Sequence, residues 1–271
     1  MSIPLKHHFV HSAYQKRFLA HDKKLYVLTN EFDKNITLKT PSQICYELNL
    51  HTLTIKNQKF YEIECFYSSV ENEISKILKV IDTEEQKYNN IWEEALKKDD
   101  IQFILKFFIS IMFWRNPKQT TLAKVYSEKL IDLYDNAHIE SKKILNERKT
   151  IKYTQKNRDK HDLLKVIQFI LLPLLTFKIW DKEIKINIAR ANKSDIVLTC
   201  DNPVVYQNDL ECLFKYENFY IPLDKNSILT SKSKIDNKMN VVELNLETAK
   251  NSHKYIMGAS LEMMEYIKEL L

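Results

Sequence analysis

A chain of 271 residues, 44 % of them hydrophobic and 28 % charged, is long enough to bury a large core and too apolar to be disordered. Its single glycine, Gly258, excludes the glycine-rich phosphate-binding loops, because those loops need several glycines for close backbone approach. The four cysteines match no zinc-binding spacing, and a net charge of +5 is too small for a generally basic protein.

The N-terminal residues lack the apolar core of a signal peptide. The most apolar segment, residues 163–180, contains Lys165, Gln168, Pro173 and Lys178, and a bilayer span needs about 20 apolar residues. We therefore expect a soluble, cytoplasmic protein with no membrane partner.

Residues 1–60 predict a mixed segment of helix and strand. A short helix is expected in "SAYQKRFLA" (12–20), strands in "KLYVLTN" and "NITLKT", and a further short helix at Pro41, since proline suits a helix start.

Residues 61–180 predict a helical bundle. Between residues 61 and 81, apolar side chains recur at spacings of three and four, which is typical of one buried helix face. The segment "DDIQFILKFFISIMFW" predicts a helix with an Asp cap that ends at Arg115, because proline at 117 disfavours helix in the residue before it.

Residues 181–245 predict strands in "KINIARA", "DIVLTCD" and "FYIPLDKNSIL", and residues 246–271 predict one closing helix. The expected fold class is α+β: a single α-rich domain, residues 1–271, with a central helical bundle packed on a small mixed or antiparallel sheet.

Several short motifs resemble those of a bacterial family catalogued as domain of unknown function 4238. The family opens with His-Tyr-Val-Pro-Gln-x-Tyr-Leu-Arg-x-Phe, and "HFVHSAYQKRF" is similar to it, although His11 and Ser12 replace Pro-Gln and Lys16 replaces Arg. The other matching positions are Cys45-Tyr46-Glu47, Glu64, Glu71, Arg115-Asn116-Pro117, Cys200-Asp201-Asn202-Pro203-Val204, Pro222-Leu223, Asn245 and Ala249. The resemblance covers residues 5–260 and implies site positions without a mechanism.

Glu64 and Glu71 are seven residues apart, so they lie two turns apart on one helix face. They either flank a packing seam or form a carboxylate pair for metal binding or acid/base chemistry. Arg115 either interacts with its helix dipole or binds an anion.

His8 has three open roles: metal ligand, general acid/base or phosphate contact, and structural histidine. His7 and His11 are treated as incidental. Tyr14 and Lys16 share the family motif with His8, and we assign them to phosphate binding.

Asp201-Asn202-Pro203 follows an apolar strand. Turn chemistry accounts for these residue types, since Asp and Asn bond to their own backbone and proline fixes φ. A strand end is also a common place for catalytic groups, so Asp201 and Asn202 are predicted site residues.

The segment 141–165 contains nine Lys and Arg residues against three acids, so the basic charge is local. It is either a solvated face or a nucleic-acid contact through residues such as Lys152 and Arg158.

We expect these groups to converge at one cleft. The leading hypothesis is a nucleic-acid-directed hydrolase, a metal-dependent nuclease of bacterial defence or a toxin, in which Asp201 and Glu71 hold Mg²⁺ or Mn²⁺. Catalytic residues would be Asp201, Asn202, His8, Glu71 and Glu64, and Arg115 would bind phosphate. The alternatives are a non-catalytic module that binds a nucleotide, another anion or a partner protein, and a purely structural polar network.

Overall fold

The structure is a computed structural model that describes residues 5–29, 34–85, 88, 91–145, 147–160, 162–192, 194–207, 209–231 and 240–271, with the exception of the Glu85 side chain. It confirms the α+β class: helices dominate, and the strands form small antiparallel sheets.

The α-helices are α1 (Ser12–Gln15), α2 (Glu62–Glu85), α3 (Ile91–Leu96), α4 (Asp99–Trp114), α5 (Thr120–Glu128), α6 (Leu130–Asn136), α7 (Ile139–Leu145), α8 (Arg148–Lys156), α9 (Leu163–Val166), α10 (Leu172–Thr176), α11 (Leu210–Phe214), α12 (Val241–Asn251) and α13 (Leu261–Leu270). Short 3₁₀ turns occupy Lys16–Phe18, Pro41–Gln43 and Pro117–Gln119, and a π-helical turn occupies Ile167–Leu171.

The strands are β1 (Lys6–His8), β2 (Leu25–Thr29), β3 (Ile36–Lys39), β4 (Tyr46–Leu48), β5 (Leu53–Ile55), β6 (Gln58–Phe60), β7 (Asn187–Arg190), β8 (Thr199–Cys200), β9 (Val205–Tyr206), β10 (Phe219–Asp224), β11 (Ser227–Thr230) and β12 (Tyr255–Gly258). In the described residues they form two four-stranded sheets, which we call sheet A (β7-β11-β10-β9) and sheet B (β3-β2-β12-β8), and two strand pairs, β1-β4 and β5-β6.

Helix α4 runs through the main hydrophobic core. Ile109, Phe113 and Trp114 are fully buried, and the helix packs against α10 and α3. Its end at Trp114 agrees with the expected effect of Pro117. The expected Asp cap is wrong: Lys98 occupies the cap position, and Asp99 and the acid after it lie in the first turn, where they favour the helix dipole.

The C-terminal segment is not one helix. Asn251 ends α12, Ser252 is extended, and β12 then enters sheet B between β2 and β8. Ile256 and Met257 are fully buried in this central strand, so sheet pairing with distant residues overrides the local preference for helix. A serine cap, Ser260, whose hydroxyl accepts from the Met263 N–H at 3.1 Å, starts α13.

The expected strand 195–201 is reduced to β8. Val197 and Leu198 are fully buried but stand outside the ladder. The N–H of Leu198 instead donates to the side-chain oxygen of Asn245 on α12, at 2.8 Å. A side chain on α12 thus satisfies the backbone group that a neighbouring strand would otherwise bind. The local sequence around Leu198 gives no sign of this contact.

Several turns in this chain contain residues other than glycine in the left-handed backbone conformation. The hairpin between β5 and β6 turns at Lys56 and Asn57, whose φ angles are 49° and 66°. Gly258 has no positive φ; it lies where a Cβ would come within 2.3 Å of the Leu198 side chain. The single glycine therefore serves packing.

Candidate functional site

One face of α2 organises the polar cluster. Glu64, Tyr67 and Glu71 follow one another at spacings of three and four, so they line the same side of the helix. Tyr67 is fully buried, and the Glu64 and Glu71 side chains are only 12 % and 14 % exposed. Both glutamates therefore point along the edge of the core, away from bulk water.

At the Glu71 end, groups from three distant segments meet. His11 lies just before α1, and its Nε2 is 3.0 Å from Oε2 of Glu71. Arg115, which caps the C-terminus of α4, donates from Nη1 to the other carboxylate oxygen. The Arg115 guanidinium also lies over the Tyr67 ring, 4.5 Å from its centroid. We call His11, Glu71 and Arg115 the Glu71 triad.

At the Glu64 end, two further histidines approach from the N-terminal third of the chain. The Nδ1 of His51 lies 2.6 Å from Oε2 of Glu64, and the Nδ1 of His7 lies 3.7 Å from the same oxygen. The His51 backbone N–H donates to Nδ1 of His7 at 2.9 Å, and the two rings stack with centroids 5.3 Å apart. We call His7, His51 and Glu64 the Glu64 triad.

His8, the histidine singled out by its motif, faces away from both carboxylates. Its Nε2 donates to the backbone carbonyl of Pro41 at 3.2 Å, and its ring meets Tyr46 edge-on. Adjacent strand residues point to opposite sides, so β1 directs His7 inward and His8 towards the Pro41 turn. The carbonyl bond fixes Nε2 as the protonated nitrogen of His8.

The imidazoles of His8, His11 and His51 are neutral at pH 7. Burial lowers the pKa of His11 to about 3, assisted by the positive charge of Arg115. Burial likewise lowers the pKa of His51 to about 3, and it lowers the pKa of His8. Neutral imidazole is the form that accepts a proton or binds a metal, whereas a cationic phosphate contact needs imidazolium. His8 therefore carries no positive charge with which to contact a phosphate.

The two carboxyl groups respond differently to burial. Burial raises the pKa of Glu71, although Arg115 opposes the shift. Burial also disfavours the Glu64 carboxylate, but the hydrogen bond from His51 and the nearby charges, Arg115 among them, together outweigh it and lower the pKa of Glu64. Two glutamates on one helix face thus acquire different proton affinities, which is the arrangement that acid/base chemistry uses.

A cleft of about 260 Å³ opens beside the Glu71 triad. Its lining includes His11, Ser75, Lys79 and Phe108. Arg17 also borders the cleft, but it is engaged by Asp82, by Asp224 at 3.1 Å and by the Leu223 carbonyl at 2.8 Å. Among the described residues that line the cleft, Lys79 is the exposed cation.

Asp201 forms a structural joint. Its two carboxylate oxygens accept the backbone N–H groups of His253 and Lys254, each at 2.7 Å, and the side chain is buried. Asn116 donates to the Asp201 carbonyl at 2.7 Å and to Oδ1 of Asn202 at 3.2 Å.

Asn202 continues the same joint. Its Nδ2 donates to the Asn251 carbonyl at 3.2 Å, and Asn251 donates back to the Asn202 carbonyl at 2.6 Å. Because β8 belongs to sheet B and β9 to sheet A, the Asp201–Pro203 segment carries the chain from one sheet to the other. The motif thus links both sheets to the ends of α4 and α12.

The remaining predicted site residues lie in different surroundings. Tyr14 lines the cleft, but its hydroxyl is buried and donates to the Pro222 carbonyl at 2.7 Å. Lys16 is exposed and close enough to His11 to help lower its pKa. Lys152 is exposed on α8, and Arg158 pairs with Glu128 at 3.6 Å. Neither of the last two contacts either triad in the described structure.

A metal would find its donors in the Glu64 triad. Among the described residues, the grouping of three or more ligand side chains is His7, His51 and Glu64, whose ligand atoms all lie within 4.8 Å of one another. Asp201 and Glu71, the expected metal pair, do not belong to it and have the partners given above.

Sequence reasoning missed His7, His11 and His51. Strand alternation in "KHH" carried a usable signal, because it places one of two adjacent histidines inward. His11 stands at a position where the resembling motif has proline, and nothing marks it as a partner of Glu71. His51 lies 13 residues before Glu64 in a turn, and no spacing rule connects them.

Comparison with known proteins agrees with the motif assignment. Within the described residues, none of the helices combines the length and apolar content needed to cross a bilayer. No curated protein and no solved structure matches the chain. A family model described as protein of unknown function DUF4238 matches residues 6–262, nearly the whole chain. The chain therefore belongs to the DUF4238 family.

Proposed function

We propose that the chain is a nucleic-acid-directed hydrolase whose reaction centre is the Glu71 triad at the mouth of the 260 Å³ cleft. The observation that supports this proposal is the placement of His11. A neutral imidazole lines the cleft, Glu71 holds one of its nitrogens, and Arg115 in turn holds Glu71. A base oriented by a carboxylate, itself fixed by a third group, is the arrangement that activates a nucleophile.

In this proposal His11 is the general base. Its Nε2 lies 3.0 Å from Oε2 of Glu71, so we place the ring proton on Nε2 and the lone pair on Nδ1. Nδ1 takes a proton from water while the water oxygen bonds to phosphorus. The bond from phosphorus to the leaving sugar oxygen breaks, and that oxygen takes a proton from solvent. Glu71 stabilises the imidazolium that forms.

Positive charge near the cleft supports a phosphodiester substrate. Lys16 and Lys79 are exposed beside His11 and in the cleft lining. In the basic segment, Arg148 pairs with Asp135 and Lys149 with Glu147, so part of its charge is neutralised locally. Exposed lysines such as Lys152 supply the sequence-independent attraction to a nucleic-acid backbone. A divalent cation, Mg²⁺ or Mn²⁺, would lower the pKa of the attacking water.

The test is cleavage of end-labelled RNA and DNA, single- and double-stranded, by the purified full chain with Mg²⁺, Mn²⁺ or EDTA. His11→Asn should reduce the rate by about 10²–10⁴-fold, the usual contribution of a general base. His21→Asn is the matched control, because His21 is exposed on a turn. Circular dichroism establishes that each variant is folded. Absence of cleavage by the wild type, or equal rates for wild type and His11→Asn, refutes the proposal.

A second function, a non-catalytic module for a nucleotide or similar anion, is favoured by one observation. Arg115 is 2 % exposed and already paired with Glu71, so the triad is closed by its own partners, while the exposed Lys16 and Lys79 beside it can hold an anion without bond cleavage. Thermal-shift titration separates the two functions. A ligand at about 100 times its Kd adds about 2.7 kcal/mol to the free energy of unfolding even where no bond is cleaved.

A further inference from the structure

We propose that the Glu64 triad is a binding site for a divalent transition-metal ion of the Zn²⁺ or Mn²⁺ class. The site is separate from the Glu71 triad, and the inference does not depend on the proposed hydrolysis.

The geometry brings three donors together from three parts of the chain. His7 comes from β1, His51 from the turn between β4 and β5, and Glu64 from the first turns of α2. Their ligand atoms all lie within 4.8 Å of one another, and all three residues are buried. Donors around one first-row metal ion, each about 2.0–2.2 Å from it, are at most about 4.4 Å apart, so a bound ion would draw these three ligand atoms slightly closer together.

The imidazole of His51 is incompletely satisfied by the protein. Its Nδ1 meets Glu64 at 2.6 Å, but its Nε2 is buried and has no hydrogen-bond partner among the described residues. A buried polar atom without a partner costs about 1–3 kcal/mol, so such an atom calls for an explanation. Polar interior groups left in this state are found at ion and cofactor sites.

His7 is already oriented as a ligand. The backbone N–H of His51 donates to Nδ1 of His7, so Nδ1 is the unprotonated nitrogen, and it lies 3.7 Å from the Glu64 oxygen; to ligate a metal ion it would exchange this hydrogen bond for the ion. Because the Nδ1–H of His51 donates to Glu64, the lone pair of this ring is on Nε2, and a metal ion there would supply the partner that Nε2 lacks without moving a proton.

The donor set selects the class of metal. Two imidazoles and one carboxylate suit Zn²⁺, Mn²⁺ and Fe²⁺, whereas Mg²⁺ prefers oxygen ligands alone. Three protein ligands leave a coordination position for water or a substrate atom, as in catalytic zinc sites.

The test uses the full chain after treatment with a chelator and its removal. Calorimetric titration with Zn²⁺ should show one equivalent bound, and Co²⁺ should give visible absorption bands of a nitrogen- and oxygen-ligated ion. Glu64→Gln keeps the size of the side chain and an oxygen that can accept from His51, and it should weaken Zn²⁺ binding by about 10-fold or more, since even an outer-shell partner of a metal contributes about 10–100-fold. His21→Asn, at an exposed histidine, should bind as the wild type does.

Two results overturn the inference: no stoichiometric Zn²⁺ binding by folded wild-type protein, or equal affinity of the wild type and Glu64→Gln. Because His51 is buried, a second measurement avoids dependence on variants that fail to fold. Zn²⁺ should raise the Tm of the wild type, and Mg²⁺ at the same concentration should not. Nucleic-acid cleavage does not enter either readout, so failure of the hydrolase proposal leaves this one intact.

Discussion

Asn116 donates its side-chain amide to the backbone carbonyl of Asp201 at 2.7 Å, joining the end of α4 to the crossing between the two sheets. Both residues belong to short motifs of the family, and they lie 85 positions apart in the chain. Their contact shows that two motifs with no link in sequence act as one structural unit. The same unit positions Arg115, the neighbour of Asn116, against Glu71.

Asn116→Ala should reduce the free energy of unfolding by about 1–3 kcal/mol, because it leaves the buried Asp201 carbonyl and the Asn202 amide oxygen without this donor. Urea unfolding followed by circular dichroism measures the change. Asn136→Ala is the control: Asn136 is exposed and bonds to the carbonyl four residues earlier. Equal losses of unfolding free energy in the two variants would show that the Asn116 contact with Asp201 does not stabilise the fold.

Asp201→Asn separates a structural from a chemical role. The amide turns an NH₂ group towards a backbone N–H that the carboxylate now satisfies, so we expect a loss of about 1–3 kcal/mol. Urea unfolding and the cleavage assay should be run on the same preparation. A variant with wild-type stability and no cleavage would instead support the catalytic role expected from the sequence.

Arg115→Ala should lower the free energy of unfolding by about 3–5 kcal/mol, because it leaves the buried Glu71 carboxylate without its cation and beside a neutral His11 only. Arg115→Lys keeps the charge but loses the planar contact over Tyr67 and should be intermediate. Arg148→Ala is the matched control, since the Arg148–Asp135 pair is exposed and such pairs contribute about 0–1 kcal/mol. If Arg115→Ala lowers the free energy of unfolding no more than the control does, the buried pair does not stabilise the fold.

Stability should fall as the pH drops from about 6.5 towards 5. The folded-state pKa of His11 and of His51 is about 3, and an unfolded histidine titrates near 6.5. In this window the unfolded state binds protons that the folded state does not, so each histidine lowers the free energy of unfolding by up to about 1.4 kcal/mol per pH unit. At lower pH the raised pKa values of Glu71 and Asp201 act in the opposite direction.

Urea unfolding of wild type and His11→Asn at pH 7, 6 and 5 checks this pH dependence. The variant should lose the His11 share of the slope, because the contributions of His51 and His8 are unchanged. His21→Asn should keep the wild-type slope. A slope that is the same in all three proteins would mean that His11 titrates normally in the folded state.

The sequence correctly predicted those helices and turns that are determined by neighbouring residues in the chain. Pro117 predicted the end of α4, the spacing of apolar residues predicted α2, and Pro41 predicted the short turn after β3. β12 was missed because its buried strand residues gain their stability from β2, more than 220 positions earlier. The same distinction between local and distant causes applies to the residues of the candidate site. Family motifs supplied Glu64, Glu71 and Arg115, but the histidines that complete both triads are fixed by tertiary contacts.

The scarcity of glycine has a practical consequence at the β5–β6 hairpin. Lys56 and Asn57 both have positive φ, the conformation in which Asn-Gly is the preferred pair for a two-residue hairpin turn. Replacing the pair by Asn-Gly should raise the melting temperature without touching either triad, by relieving about 1 kcal/mol of backbone strain. Unchanged or lower melting temperature would show that this turn is not strained. The stability of the chain can thus be increased at this turn. The stabilised chain could then carry substitutions of the buried polar residues that would otherwise be too unstable to assay.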